Sequence, residues 1–327
     1  YWSSKILHGI PHLDPNQSDM RHVMLAPQNI AMRRTFRWTF SVQKILHAVR
    51  PVPFSGRRLL IGSDYGGNHS ASSYKTYGFL VANDEPSSWL RERKSIRAEF
   101  LTDGRRMSFK RLSDPQRQAA LVPFLEAADG ISGHLVVFVV HKSVRLHPSK
   151  KGDIREWQKN LGLSGKWNHQ AFEEAFRKAH FYALLTSQWS RRRMDVTWIS
   201  DQDEFVANEK RLDDAQKLAA KLTMLHSPHS LGIFAMNTTR IDEASREFED
   251  FVAIPDLAAG MLSDLSSQLV KSATWSDLGT STVLQDDVLQ PKSDLLVDWF
   301  WFEKANLRRT CIVIDNVEKQ TRVFKLD

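Results

Sequence analysis

"RRLLIGSDYGGNHSASSYKTYGFLVAN" spans residues 57–83. Residues 57–64 form an apolar run that closes on Gly62, Ser63 and Asp64, and residues 76–83 form a second run. Gly, Asn and Ser fill the gap between them. Two strand-length runs separated by turn-forming residues predict a long-looped hairpin. Downstream, "RRMSFKRL" (105–112) alternates in polarity and predicts a third strand. "HLVVFVVHK" (134–142) is apolar at successive positions, the pattern of a strand covered on both faces, and "DVTWISD" (195–201) predicts another.

Helical segments separate these strands. Asp114 and Pro115 read as an N-cap and first-turn proline, and the helix they start stops near Gly130. Residues 168–193 place Phe172, Phe176, Ala179 and Ala183 at helical spacing. A helix over 211–225 and a short strand over 231–237 follow, and a late helix containing Asp256 reaches about Leu269. Upstream, residues 32–51 predict a helix lined by Phe36, Phe40, Ile45 and Leu46 and ended by Pro51 and Pro53. Near the end, 281–294 is loop-like, and "RTCIVID" with "TRVFKL" resembles a hairpin around Asn316. The fold class is therefore α/β: a mixed five-stranded sheet (57–64, 76–83, 105–112, 134–142 and 195–201) covered by helices, with 134–142 central. The predicted organisation is a basic N-terminal extension (1–56), a core (57–270) and a C-terminal extension with a terminal hairpin (271–327).

Composition narrows the function classes. The 327 residues carry 45 Lys and Arg against 38 Asp and Glu, a net charge of +7 that favours polyanionic partners, nucleic acid above all. The single cysteine, Cys311, excludes an internal disulfide and any multi-thiolate zinc site. His226 and His229 in "HSPHS" have no cysteine partners for such a site. The opening residues lack an apolar core of signal-peptide length, and "LVVFVV" (135–140) is too short to cross a bilayer. These features predict a cytoplasmic protein without a membrane partner.

Three acids occupy notable places. Asp64 ends the first strand, Asp201 ends the strand "VTWIS", and Asp256 sits in "VAIPDLAAG" (252–260) among apolar and small residues. Strand ends are where ligands bind in open mixed sheets. A carboxylate in apolar surroundings is costly without a partner, and carboxylates that converge need a cation, for which Mg²⁺ or Mn²⁺ suits oxygen ligands. Each acid also has a plainer reading: Asp64 as a turn residue, Asp201 as a cap, and Asp256 as a first-turn acid after Pro255. On a helix, Ala259, Gly260 and Ser263 share the face of Asp256 and leave room above its carboxylate. Lys110 and Lys142 are candidate phosphate contacts near the acids.

A first-strand acid followed by a hairpin, a later acid after a core strand and "AIPDLAAG" on the last core helix resemble the ribonuclease H-like (retroviral-integrase-type) superfamily. The nearest likeness is to a bacterial branch whose late helix carries an acid in an apolar, alanine-rich segment. The resemblance covers roughly 57–270 and implies a ribonuclease H-like sheet. It further implies a metal-dependent nuclease or related nucleic-acid phosphotransferase acting on DNA or RNA. Asp64, Asp201 and Asp256 would be its catalytic and metal-binding residues, with Mg²⁺ or Mn²⁺ as cofactor. The alternative is a catalytically inactive nucleic-acid-binding or scaffolding protein on the same fold.

Overall fold

The computed structural model describes residues 37–49, 54, 56–70, 72–83, 88–144, 153–242, 245–269, 291–301, 306–317 and 319–326. All of 1–36, Pro51, Pro53 and most of 281–294, as read above, lie outside these residues. In chain order the elements are α1 (Arg37–Ala48), β1 (Arg58–Gly66), β2 (Tyr74–Asn83), α2 (Trp89–Phe100), a 3₁₀ turn (Phe109–Arg111), α3 (Pro115–Asp129) and β3 (Gly133–His141). Then come α4 (Asp153–Leu161), α5 (His169–Trp189), β4 (Asp195–Ser200), α6 (Glu209–His226) and β5 (Phe234–Thr238). The last elements are α7 (Glu247–Leu269), α8 (Pro291–Trp301), β6 (Leu307–Val317) and β7 (Gln320–Leu326).

The mixed sheet has seven strands in the order β5-β4-β1-β2-β3-β6-β7, not the five expected. β1 and β3 run antiparallel to β2, β4 runs parallel to β1, and β5 runs parallel to β4. The segment 105–112 is no strand: it forms a loop and the 3₁₀ turn, while α2 and α3 enter between β2 and β3. Its backbone is satisfied by side chains instead of a ladder, since Arg117 Nε donates to the Arg106 carbonyl (2.7 Å) and the Phe109 N–H donates to Asp256 (2.9 Å). The short strand near 231–237 joins the sheet as β5. The terminal hairpin also joins, because β6 lies parallel to β3, and its turn falls beyond Asn316. β3 is interior as expected, although β2 holds the middle place.

Helices cover both faces. Leu135, Val137 and Val139 of β3 face a core built with α2, α3, α7 and α8, whereas Val136, Phe138 and Val140 face α1, α5 and α6. This two-sided burial explains why β3 reads as one unbroken apolar run. The Asp114 carboxylate accepts the Gln116 and Arg117 N–H groups at the start of α3, ahead of Pro115 at the first helical position. On α1 the buried side chains are Trp38, Val42 and Leu46; Phe40 points outward, a correction to the expected apolar face. The buried stripe follows a four-residue spacing that the abundance of aromatic residues hides. Among the described residues no helix is long and apolar enough to cross a membrane.

One contact in this fold has tight steric limits. A Cβ on Gly78 of β2 would lie 2.6 Å from the Pro255 carbonyl oxygen of α7, and one on Gly62 of β1 would lie 2.7 Å from the Phe251 ring. These glycines let α7 lie unusually close to β1 and β2. The Gly78→Ala variant should lose about 1–3 kcal/mol of stability, because the obstructing atom is backbone and cannot rotate away. Denaturant unfolding should show a lower midpoint at an unchanged slope.

Candidate functional site

Side chains alternate along β1. Leu60, Gly62, Asp64 and Gly66 face α7, while Ser63 and Tyr65 face the opposite layer. The opposite-facing pair is anchored there: the Ser63 and Tyr65 hydroxyls lie 2.8 Å apart, and Trp198 Nε1 donates to Ser63 Oγ at 2.8 Å. Lys178 Nζ sits 3.8 Å above the Tyr65 ring and pairs with Asp203. Asp203 is thus an ion-paired cap for Phe205 and not merely a solvated acid. With both neighbours fixed, the strand directs Asp64 toward α7.

Parallel pairing brings up the second acid. Ser63 is level with Ser200, so Asp64 and Asp201 lie at the same height, and the Asp201 N–H donates to the Ser63 carbonyl (3.2 Å); Asp201 follows the end of β4, but Asp64 does not end its strand as expected, since β1 stays paired through Gly66. Thr238 of β5 is level with Ser200, and the next residue, Thr239, donates its hydroxyl to Asp201 Oδ1 (3.1 Å). The third acid arrives on α7. Asp256 is well inside that helix, which starts at Glu247, so the first-turn reading is set aside. Its Oδ2 accepts the Phe109 N–H at 2.9 Å, and Asp64 and Asp201 are near enough for their charges to act on each other and on it.

The small residues beside Asp256 do not leave open room. A Cβ on Gly260 would collide with the Phe109 ring, which fills the space expected above the carboxylate. The Ala259 carbonyl accepts the Thr76 hydroxyl at 2.8 Å. The stripe is therefore a seat for the 3₁₀ turn on one side and for the hairpin on the other. The price of that seating is a carboxylate half-covered by protein.

Electrostatics tie the acids together. Burial pushes the Asp64 pKa well above the carboxylate range, and the charges of Asp256 and Asp201 raise it further. Burial also raises Asp256, against the hydrogen bond from the Phe109 N–H, and the charge of Asp201 adds to the rise. Asp201 is held differently: Arg106 Nη2 donates to its Oδ1 at 2.8 Å. Burial disfavours the Arg106 charge, but Asp201, Glu249 and Asp64 outweigh it, so its pKa is raised.

The donor chemistry, carboxylate oxygens on neighbouring strands, suits a hard divalent cation. Among the described residues, however, no group of three or more His, Cys, Asp or Glu side chains is arranged to hold a metal ion. Asp201 gives one oxygen to Arg106 instead.

Of the two lysines, Lys110 stands exposed on the 3₁₀ turn, next to the Phe109 N–H that binds Asp256. Lys142 stands apart. Asp64 is level with Gly78 and Gly78 with Val137, so Lys142 lies five residues beyond the level of Asp64. That is about 17 Å along the strands. Its ammonium donates to the His69 carbonyl at 2.7 Å. Arg106, Thr239 and Lys292, whose ammonium lies 4.4 Å from the Phe109 ring centroid, escaped the sequence reading. Asp103–Gly104, a turn pair directly before Arg105, was the available signal of irregular backbone at the start of 105–112. Compared with known proteins, the chain matches no family model, and no curated protein matches its sequence.

The raised acids set a pH dependence. A carboxyl whose folded pKa exceeds its unfolded value stabilises the fold while protonated, and that contribution is lost as pH rises through the folded pKa. Asp64→Asn should therefore melt above the parent protein at neutral pH, with the gap narrowing as pH falls into the ordinary carboxylate range. Asp256→Asn keeps an acceptor for the Phe109 N–H, whereas Asp256→Ala strands that donor and should cost about 1–3 kcal/mol. Melting curves of the three variants between acidic and neutral pH test both statements.

Proposed function

We propose that the protein is a metal-dependent nuclease or related nucleic-acid phosphotransferase with a ribonuclease H-like core, acting in the cytoplasm on DNA or RNA. The observation that carries this reading is the meeting of Asp64, Asp201 and Asp256 in one electrostatic cluster, from two adjacent parallel strands and the helix packed across them. A hairpin acid, a second acid on a parallel neighbour and a third on the late helix fit the ribonuclease H-like resemblance. The single buried cysteine suits a reducing compartment.

In this reading Asp64, Asp201 and Asp256 would be the residues that hold Mg²⁺ or Mn²⁺. When bound, such an ion supplies Lewis-acid stabilisation of the charge that builds on phosphoryl oxygens. The chain's own residues do the rest. Asp256 fixes the 3₁₀ turn through the Phe109 N–H, which holds Lys110 at the mouth of the cluster. Arg106 and Lys110 place positive charge where a phosphate backbone would approach, and the net charge of +7 favours its capture.

The Arg106–Asp201 pair also favours a second reading, a nucleic-acid-binding or scaffolding protein without catalysis. Cleavage of labelled DNA and RNA with Mn²⁺ or Mg²⁺ separates the two. The nuclease reading expects cleavage that EDTA abolishes and that Asp64→Asn reduces to the EDTA level. Salt-sensitive binding without cleavage would establish the second reading. In either case the logarithm of the affinity should fall linearly with the logarithm of salt concentration, and Lys110→Ala should weaken all sequences alike.

A further inference from the structure

A basic turn leads into β4 at the edge of the sheet away from the acid cluster. α5 ends at Trp189 and is capped by Ser190, and Arg191, Arg192 and Arg193 follow before the strand begins at Asp195. All three arginines are exposed. Their backbone is fixed. The Met194 N–H donates to the Arg191 carbonyl (3.0 Å), the Arg193 N–H to the Ser230 carbonyl (2.9 Å) and the Gly232 N–H to the Met194 carbonyl (2.9 Å). Arg193 is held at φ 62°, a left-handed conformation uncommon for a residue with a long side chain.

β1 adds a fourth arginine. The Asp195 N–H donates to the Arg57 carbonyl (3.0 Å), so the exposed Arg57 stands beside the turn. The Arg191 guanidinium reaches the neighbouring Gly56 carbonyl (3.4 Å). Among the described residues, the side chains of Arg57, Arg192 and Arg193 make no ion pair or hydrogen bond. Asp195, the next acid along the chain, gives its Oδ1 to the Ile233 N–H (2.7 Å). The dipole of α5 does not account for the arginines: that field fades beyond the last turn, and the last turn of α5 holds no basic residue. Four like charges are thus gathered on a rigid turn that includes a strained residue, and strain of this kind clusters where ligands bind.

We propose that Arg57, Arg191, Arg192 and Arg193 form a surface that holds the phosphate backbone of nucleic acid, apart from the acid cluster. Arg58 is level with Asp195, and Asp64 lies six residues further along β1. That separates the two places by about 20 Å along the strands. The planar donor fork of arginine matches phosphate oxygens, and such contacts hold a strand without reading its bases. The surface is built from a turn and a strand start, not from an amphipathic helix of the kind that lies in a bilayer interface. It shares the nucleic-acid partner of the reading above but needs neither a metal ion nor cleavage.

The test is binding of a fluorescent DNA duplex and a fluorescent single-stranded RNA, followed by anisotropy across a salt series in EDTA. For whichever the parent protein binds, the double variant Arg192→Gln, Arg193→Gln should bind more weakly. Its slope of log affinity against log salt should be smaller by roughly 1.4–1.8, two phosphate contacts. Lys319→Gln, Arg322→Gln removes the same charge from exposed positions of the terminal hairpin, at the other edge of the sheet, and should keep the parent slope. Equal losses in the two double variants would reduce the effect to net charge and overturn the surface. A parent slope in the Arg192, Arg193 variant would overturn it and leave the nucleic-acid reading standing, whereas no binding by the parent protein would overturn both. Vesicles of phosphatidylcholine with phosphatidylserine supply the last arm: loss of vesicle binding in that variant, with nucleic-acid affinity unchanged, would give the surface to a membrane instead. If the Arg192, Arg193 variant fails to fold, Arg57→Gln leaves the turn intact and should lower the slope by roughly 0.7–0.9. A parent slope there would equally overturn the surface.

Discussion

The close seating of α7 on β1 and β2 is the constraint on which the rest of the site depends. Gly62 and Gly78 supply no side chains where Phe251 and the Pro255 backbone press against the sheet. Gly66 lies beneath the Ala259 carbonyl, which Thr76 holds at 2.8 Å. A helix this near its sheet brings the side chain of Asp256 to that of Asp64, which a wider gap would prevent. The N-terminal end of α7 is fixed as firmly, since Arg93 and Arg97 of α2 both bond the buried Asp250, at 2.7 and 2.6 Å. Such a charge group is costly to break once its members are desolvated. The helix therefore has little freedom to slide and relieve the repulsion between the acids.

That repulsion is met locally by basic and hydroxyl partners. Asp201 takes Arg106 and Thr239, and Asp203 takes Lys178 from the other layer. Each partner comes from a different element, so the cluster joins β1, β4, β5, α5, α7 and the loop before α3. A site of this kind trades stability for concentrated charge, the usual condition of groups that act on ligands. Its acids remain partly open to solvent.

The loop 101–114 shows how an irregular segment can be as fixed as a strand. Arg105 bonds both Asp103 and Asp114, Arg117 bonds the Arg106 carbonyl, and Asp256 bonds the Phe109 N–H. Phe109 fits over Gly260, and Lys292 approaches its ring from α8. Side chains here replace the ladder that a strand would have provided.

Much of this was legible in the sequence. Two-sided burial marked β3, and the Asp114–Pro115 pair marked the start of α3. The turn residues after Asp64 marked the hairpin, because these signals depend on local periodicity and local hydrogen bonding. The three acids stood out by their places at strand ends and within an apolar helix. Partner choice between distant segments was not legible. Nothing local says that the terminal hairpin pairs with β3 or that 105–112 wraps α7 instead of entering the sheet. Nor does it say that Gly260 accommodates Phe109, or that Asp201 is held by Arg106, 95 residues earlier in the chain. Sequence determined which residues could form strands, helices and acid-bearing ends. The tertiary structure alone decided their company, because close approach and charge pairing depend on distances in space that no local pattern encodes.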